Sequence, residues 1–430
     1  MPDSCCSSNI QLILTRKLAV LAIGMLKKYS YRLSAWSYLL FAGAASMIAA
    51  LKGFAYAHLL SADQYALINY YLLIVGLGVL VVGSGVIIKC HSEMPLLVED
   101  EGRLSEFSSN VKWFGSGCWL AALVGLVVYS FWAGAPFSIL LLSFVQVLVF
   151  FIFTVDLMVV KSKKNFVDYA RRLFYRNLFV ALAGLAVALA TKNAEFAILA
   201  EVSIGVILCL KSLMLWLVNA KLPGWDFIID CLKFVPVTCV GAFMQYVDRV
   251  FAAYFMSAQE FSRFSYLSLV VMVGLSIQQL INTRVITLLP EICREDPSAG
   301  FKYVVRISFF VSIFLSVILS CLLWLLQSRW FATEWLEVGV GISIVFWGCA
   351  ILRAADFYSS YLLVMSQRNK LLMIQLAMLA IFSFLTLLYG FWFRSEGVFG
   401  YVLLMCVGFS VSLIVLVYAS WRVSLVKKNI

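Results

Sequence analysis

The sequence predicts an all-α polytopic membrane protein of about twelve transmembrane helices in two pseudo-symmetric six-helix lobes. Three observations carry that prediction. The chain of 430 residues is 63% hydrophobic and only 13% charged, where a soluble domain carries about a quarter. Apolar runs long enough to cross a bilayer fall in two groups of six. The second group also echoes the first. Residues 234–274 lie on residues 38–78 at a gap-free offset of 196, with Ser257, Ala258, Tyr266 and Gly274 meeting Ser61, Ala62, Tyr70 and Gly78.

Residues 1–32 form a basic segment with Arg16, Lys17, Lys27, Lys28 and Arg32, and their apolar run Leu18–Leu26 falls short of the roughly 20 residues a span needs. Two readings stay open for it: an interfacial amphipathic helix, or an over-long start whose first true residue is Met25. Spans are then expected at about 34–60, 66–88, 113–133, 136–160, 175–191 and 196–218, forming a lobe over 33–220. Six more follow at about 232–256, 264–290, 303–326, 336–364, 372–392 and 398–421, forming a lobe over 221–430. With the amino end inside, the inner segments hold 24 Lys and Arg and the outer loops 4. That asymmetry predicts that both termini are cytosolic, and Trp36, Trp132, Trp216, Trp330 and Trp421 fall at span ends as an aromatic belt requires. An even number of spans per half makes both halves enter the membrane in the same direction, so their symmetry axis runs along the membrane normal. A second echo, MVVKSKKN (Met158–Asn165) beside LLVMSQRN (Leu362–Asn369), follows the fourth and tenth spans.

Composition and motifs exclude several classes. The net charge of +11 is spread over short segments between spans, which sets orientation and implies no nucleic-acid partner. His58 and His91 are the only histidines, and neither metal-ligand spacings nor a phosphate-cradling glycine loop occur. No metal, cofactor or catalytic residue is expected, and the eleven cysteines imply no disulfide framework.

Charge inside the spans remains. Lys52, Lys211, Arg249, Arg284 and Arg353 stand beside Asp156, Glu195, Glu201, Asp248 and Asp356. Each costs at least about 2.5 kcal/mol at mid-membrane unless paired or wetted, which makes each a functional candidate. Asp156 and Glu195 lie near span ends and read as interfacial, Lys211 can snorkel to the cytosolic surface, and Arg353 and Asp356, three apart, can neutralise each other. Lys52, Asp248 and Arg249 share helix faces with Ala, Gly, Thr and Gln, which suits a face turned to an internal cavity. Gln278, Gln279 and Asn282 fill one arc of the eighth span; interhelical glue and a sugar-binding face explain them equally well. Arg249, Arg284 and Arg353 are candidates for holding a pyrophosphate, because guanidinium pairs bidentately with phosphate oxygens. Lys52 and Asp248 meet at equivalent depth under the 196-residue offset, so they are expected to pair as an outer gate.

The run VDRVFAAYFMSAQEFSRFSYL (Val247–Leu267), followed by an apolar span ending in LLPEI (Leu288–Ile292), resembles the seventh and eighth spans of bacterial Wzx-type polysaccharide flippases. These belong to the multidrug/oligosaccharidyl-lipid/polysaccharide exporter superfamily. The SADQY turn, Ser61–Tyr65, resembles the opening of the same proteins. The resemblance implies two lobes in a V around a central cavity lined by the first, second, seventh and eighth spans. It implies alternating-access translocation of an undecaprenyl-pyrophosphate-linked oligosaccharide across the bacterial inner membrane, in surface polysaccharide (O-antigen, lipopolysaccharide) biosynthesis. A polysaccharide polymerase and a chain-length regulator are the further partners it suggests. Family cavities of this type are cationic, whereas the intramembrane charges here are nearly balanced. A cation-coupled drug exporter of this superfamily usually has a carboxylate where Lys52 stands, a peptidoglycan-lipid flippase usually has fourteen spans, and a membrane polymerase needs a large outer loop.

Overall fold

The computed structural model describes residues 37, 38, 40–133, 136–218, 222–326, 348, 355–365 and 367–426. The described residues are helical almost throughout, because a chain in lipid must satisfy every backbone polar group within its own segment. The helices are α1 (Leu40–Leu59), α2 (Ala62–Gly83), α3 (Val86–Glu93), α4 (Glu101–Ala133), α5 (Phe137–Ser162), α6 (Phe166–Thr191) and α7 (Ala194–Val218). They continue as α8 (Trp225–Leu232), α9 (Val235–Phe255), α10 (Ala258–Glu295), α11 (Pro297–Leu326), α12 (Asp356–Val364), α13 (Arg368–Leu388) and α14 (Gly397–Val426). Eleven of the twelve expected spans coincide with these helices; of the tenth, 336–364, only α12 and a few residues beside it lie among the described residues.

Side-chain chemistry sets several boundaries. Ser61 caps α2, its hydroxyl accepting from the Gln64 N–H. Ser257 caps α10 in a reciprocal box with Glu260. The turn between α6 and α7 closes on Lys192 in the left-handed region, φ 54°, so the two helices lie antiparallel. Helices overrun the apolar runs on the predicted cytosolic side. α4 starts twelve residues before its run, at Glu101, and α10 ends beyond its own, at Glu295. Continuing the helix satisfies backbone groups that a short loop would leave to water.

The packing separates the two groups of helices at one end only. One apolar core takes residues from both lobes, among them Phe54, Tyr65 and Tyr71 of the first and Phe261, Tyr266, Phe382 and Tyr401 of the second. These lie toward the predicted outer ends of their helices. At the inner ends the cores are separate: Val82, Phe107, Phe114 and Phe151 with Cys231 of α8 on one side, Leu289, Leu315, Tyr361 and Leu416 on the other. The main helices of the two lobes therefore share one core at the predicted outer end and have separate cores at the predicted inner end, where α8 packs with the first group. Along one flank, α2 and α9 stay together from end to end. The Tyr70 hydroxyl reaches the Ala253 carbonyl at 3.2 Å, Gly76 leaves room for Tyr246, and the Gly85 N–H donates to Thr238 Oγ1 at 3.1 Å. Gly85 has φ 76°, and a Cβ there would strike the Cys231 carbonyl, so glycine is needed on both counts.

Candidate functional site

The charged centre of the first lobe is built from α1, α6 and α7. Lys52 and Tyr56 stand one turn apart on α1, so both side chains reach the same point. That point is Glu201 on α7. Lys52 Nζ lies 2.8 Å from Glu201 Oε2, and the Tyr56 hydroxyl donates to Oε1 at 2.6 Å. The Lys52 side chain is 13% exposed and that of Glu201 is 3% exposed. α6 makes room for the pair with Gly184, where a Cβ would collide with the Tyr56 hydroxyl and stand 2.6 Å from Glu201 Cγ.

This geometry corrects the expected gate. Lys52 does not meet Asp248 in this structure: its ammonium is turned to Glu201 of its own lobe, while the neighbouring Gly53 and Phe54 face α10 of the other. Equal depth under the repeat fixes height along the membrane normal; it does not fix the direction of the side chain. Asp248 is buried, 7% exposed, and its carbonyl accepts from the Tyr401 hydroxyl. The closing contacts at the outer end are instead aromatic and backbone-mediated. Phe54 packs edge-on against Tyr266 at 5.3 Å, and Tyr70 stacks on Phe261 at 4.7 Å. The Ser262 hydroxyl donates to the Ala62 carbonyl at 2.6 Å. Tyr70 and Tyr266, partners under the repeat, both lie in this closure.

The other candidates fall as follows. Gln278 is 1% exposed and its Nε2 lies 3.4 Å from Asp356 Oδ2. Asn282 bonds Ser360 Oγ at 3.0 Å. Both polar groups thus join α10 to α12, which favours interhelical bonding over a sugar-binding face for these two. Arg249 is half-buried on α9. Arg353 lies outside the described residues, as do the side chains of Gln279 and Arg284, whose backbones belong to α10. Asp156 pairs with Lys112 at 2.7 Å, Glu195 accepts from the Ser138 hydroxyl at 2.8 Å, and Lys211 is exposed.

Two features escaped the sequence reading. Arg176 counts as one of the cytosolic cations by sequence, yet it is only 5% exposed, its guanidinium 4.1 Å from the Phe150 ring centroid and 4.9 Å from that of Phe153. No hydropathy signal marks a buried arginine at the start of a span. The second is a latch at the predicted inner face, where Lys89 lies 3.6 Å from both Glu93 and Asp230 and 4.5 Å from the Phe227 ring centroid. There the hydrogen bond from Lys233 holds the exposed Asp230 carboxyl below its usual range, and burial pushes the Cys231 thiol up to about 11.

Solved structures share this architecture. An inward-facing multidrug resistance MATE family transporter of the MOP superfamily aligns with 89% of this chain and 96% of its own, at TM-score 0.63 and 13% identity. The fold is that of the MATE transporters. An outward-facing MATE transporter of the MOP superfamily covers 92% of this chain and 97% of its own, at TM-score 0.56 and 13% identity. A MOP superfamily transporter from Pyrococcus furiosus, whose binding pocket is described as reversed in polarity, covers 92% and 96%, at TM-score 0.54 and 12% identity. No family model and no curated protein matches the sequence. MATE folds have twelve transmembrane helices in two lobes.

Proposed function

We propose that this chain is a flippase that moves a lipid-linked oligosaccharide across the bacterial inner membrane by alternating access, both termini cytosolic, without covalent chemistry. The observation that carries the choice of cargo is the occupation of Glu201. Both of its oxygens are engaged, by Lys52 and Tyr56, so the first lobe presents no free carboxylate at this point to attract a cationic drug or a coupling ion. Lobes 33–220 and 221–430 rock about the α2–α9 flank, and the aromatic closure at Phe54, Tyr266, Tyr70 and Phe261 alternates with an inner closure. Arg249, Arg284 and Arg353 remain the residues proposed to take the carrier pyrophosphate. Lys substitutions there retain part of the transport and Gln substitutions lose it.

The fold also supports a second reading, a cation-coupled drug exporter, since structures of the same fold are described as multidrug transporters. A deletion strain separates the two. Under the first reading, the carrier-linked repeat unit accumulates on the cytosolic leaflet while drug susceptibility stays unchanged. Normal surface polysaccharide with increased drug sensitivity overturns it in favour of the second.

A further inference from the structure

Among the described residues, the first lobe holds one buried cation with no carboxylate beside it. Four cations are drawn into the lobe, Lys52, Lys89, Lys112 and Arg176. Lys52 is matched by Glu201, Lys112 by Asp156, and Lys89 by Glu93 and Asp230. Arg176 is the cation left over. Among the described residues no carboxylate lies within ion-pair distance of it, and its Nε is buried with no hydrogen-bond partner. Among the described residues the titratable groups within electrostatic reach are Cys209, Tyr71 and Glu201; the first two are neutral as thiol and phenol, and the third is already neutralised.

An arginine keeps its charge in almost any protein environment, and an uncompensated buried charge is among the most unfavourable arrangements a fold can contain. The rings of Phe150 and Phe153 offset part of this through their faces, but rings carry no net charge. One turn before Phe150 on α5, Gln146 is a second buried group with an unpartnered atom, its carboxamide Oε1. It packs against Gly205 of α7, where a Cβ would stand 3.0 Å from that oxygen. Gln146, Phe150 and Phe153 share one face of α5, so the guanidinium and the carboxamide belong to the same stretch of the lobe interior. Amide oxygen and nitrogen exchange places by a flip, so Gln146 can also present donors.

We propose that Arg176 and Gln146 form the site of a small inorganic anion of the halide class, buried inside the first lobe between α5, α6 and α7. The anion supplies the missing negative charge and accepts from guanidinium and carboxamide N–H groups. It is a resident counter-ion of the lobe, separate from the space between the lobes where the cargo passes, and it stands whether or not the proposed cargo is correct. The experiment uses the purified full-length protein and bromide as the probe. In chloride-free buffer, replacing gluconate by bromide raises the unfolding temperature of the wild type by about 2 °C or more, as expected for a ligand that binds only the folded state. Arg176→Met, which retains the bulk and removes the charge, abolishes the dependence; Arg176→Lys retains part of it. Crystals in bromide show an anomalous peak beside Arg176. A wild type indifferent to bromide, an equal bromide response in Arg176→Met, or a crystal in bromide with no peak at Arg176 overturns the proposal. Where Arg176→Met fails to fold, the wild-type titration and the anomalous map decide.

Discussion

Glu201 shows how a residue's role depends on which neighbour reaches it. Replacing it by Gln leaves the Lys52 ammonium buried without a counter-charge, a loss of about 3–5 kcal/mol, read as a lower unfolding temperature. Exchanging the pair, Lys52→Glu with Glu201→Lys, recovers a good part of the stability and transport. The exchange of Lys52 with Asp248, which the repeat alone would favour, recovers nothing. Gly184→Ala has an effect comparable to Glu201→Gln, because its Cβ displaces Tyr56 and Glu201. Gly125→Ala serves as the control, having nothing within 4 Å of its Cβ. The acids and bases inside the spans were legible in the sequence because lipid makes them rare. Their pairing was not, since it depends on the rotation of each helix about its own axis.

At the level of elements, the repeat turns out to record local physics. The identical Ser61 and Ser257 are the caps of α2 and α10. Gly78 and Gly274 are close-packing points, against Val147 of α5 and Leu319 of α11. Ser257→Ala removes a capping box and lowers stability by about 0.5–2 kcal/mol, measurable by thermal unfolding; Ser61→Ala, whose cap bond is longer at 3.5 Å, costs less. The second echo has a physical basis with a shifted register. The Asn165 N–H bonds the Val160 carbonyl, and the Gln367 N–H bonds the Leu362 carbonyl, the same six-residue turn closing α5 and α12. That places the correspondence at an offset of 202, two short of the one that aligns the letters. Helices α3 and α8 were not legible, because eight residues give too few turns for a periodicity to register.

For the molecule as a whole, the charge asymmetry makes a topological prediction. In a cysteine-free background, Lys192→Cys and Asp63→Cys, both exposed and at the predicted outer turns, react with an impermeant maleimide from outside intact cells. Reaction only after the inner face is opened reverses the orientation. The eleven spans found among the described residues were legible from hydrophobic length alone. Which flank is shut was not, because contacts such as Tyr70 with Ala253 join residues 183 positions apart.

That shut flank bears on how a lipid could enter at all. An amphiphile with a tail tens of carbons long has no reason to leave the bilayer; its sugar head can cross between the lobes while the tail trails outside, provided one lateral slot stays open. With α2 and α9 joined from Gly85 to Tyr70, the slot has to be on the opposite flank, beside α1. There the inner half of the helix leaves Leu40 and Met47 exposed, with open space at Gly43. Under the proposed lipid-linked cargo, a photoreactive group placed at Met47 captures the carrier's polyprenyl chain, and one at Tyr246, beneath the seam, captures protein alone. Capture at both positions would mean that the seam parts during transport, and that the tail has two doors.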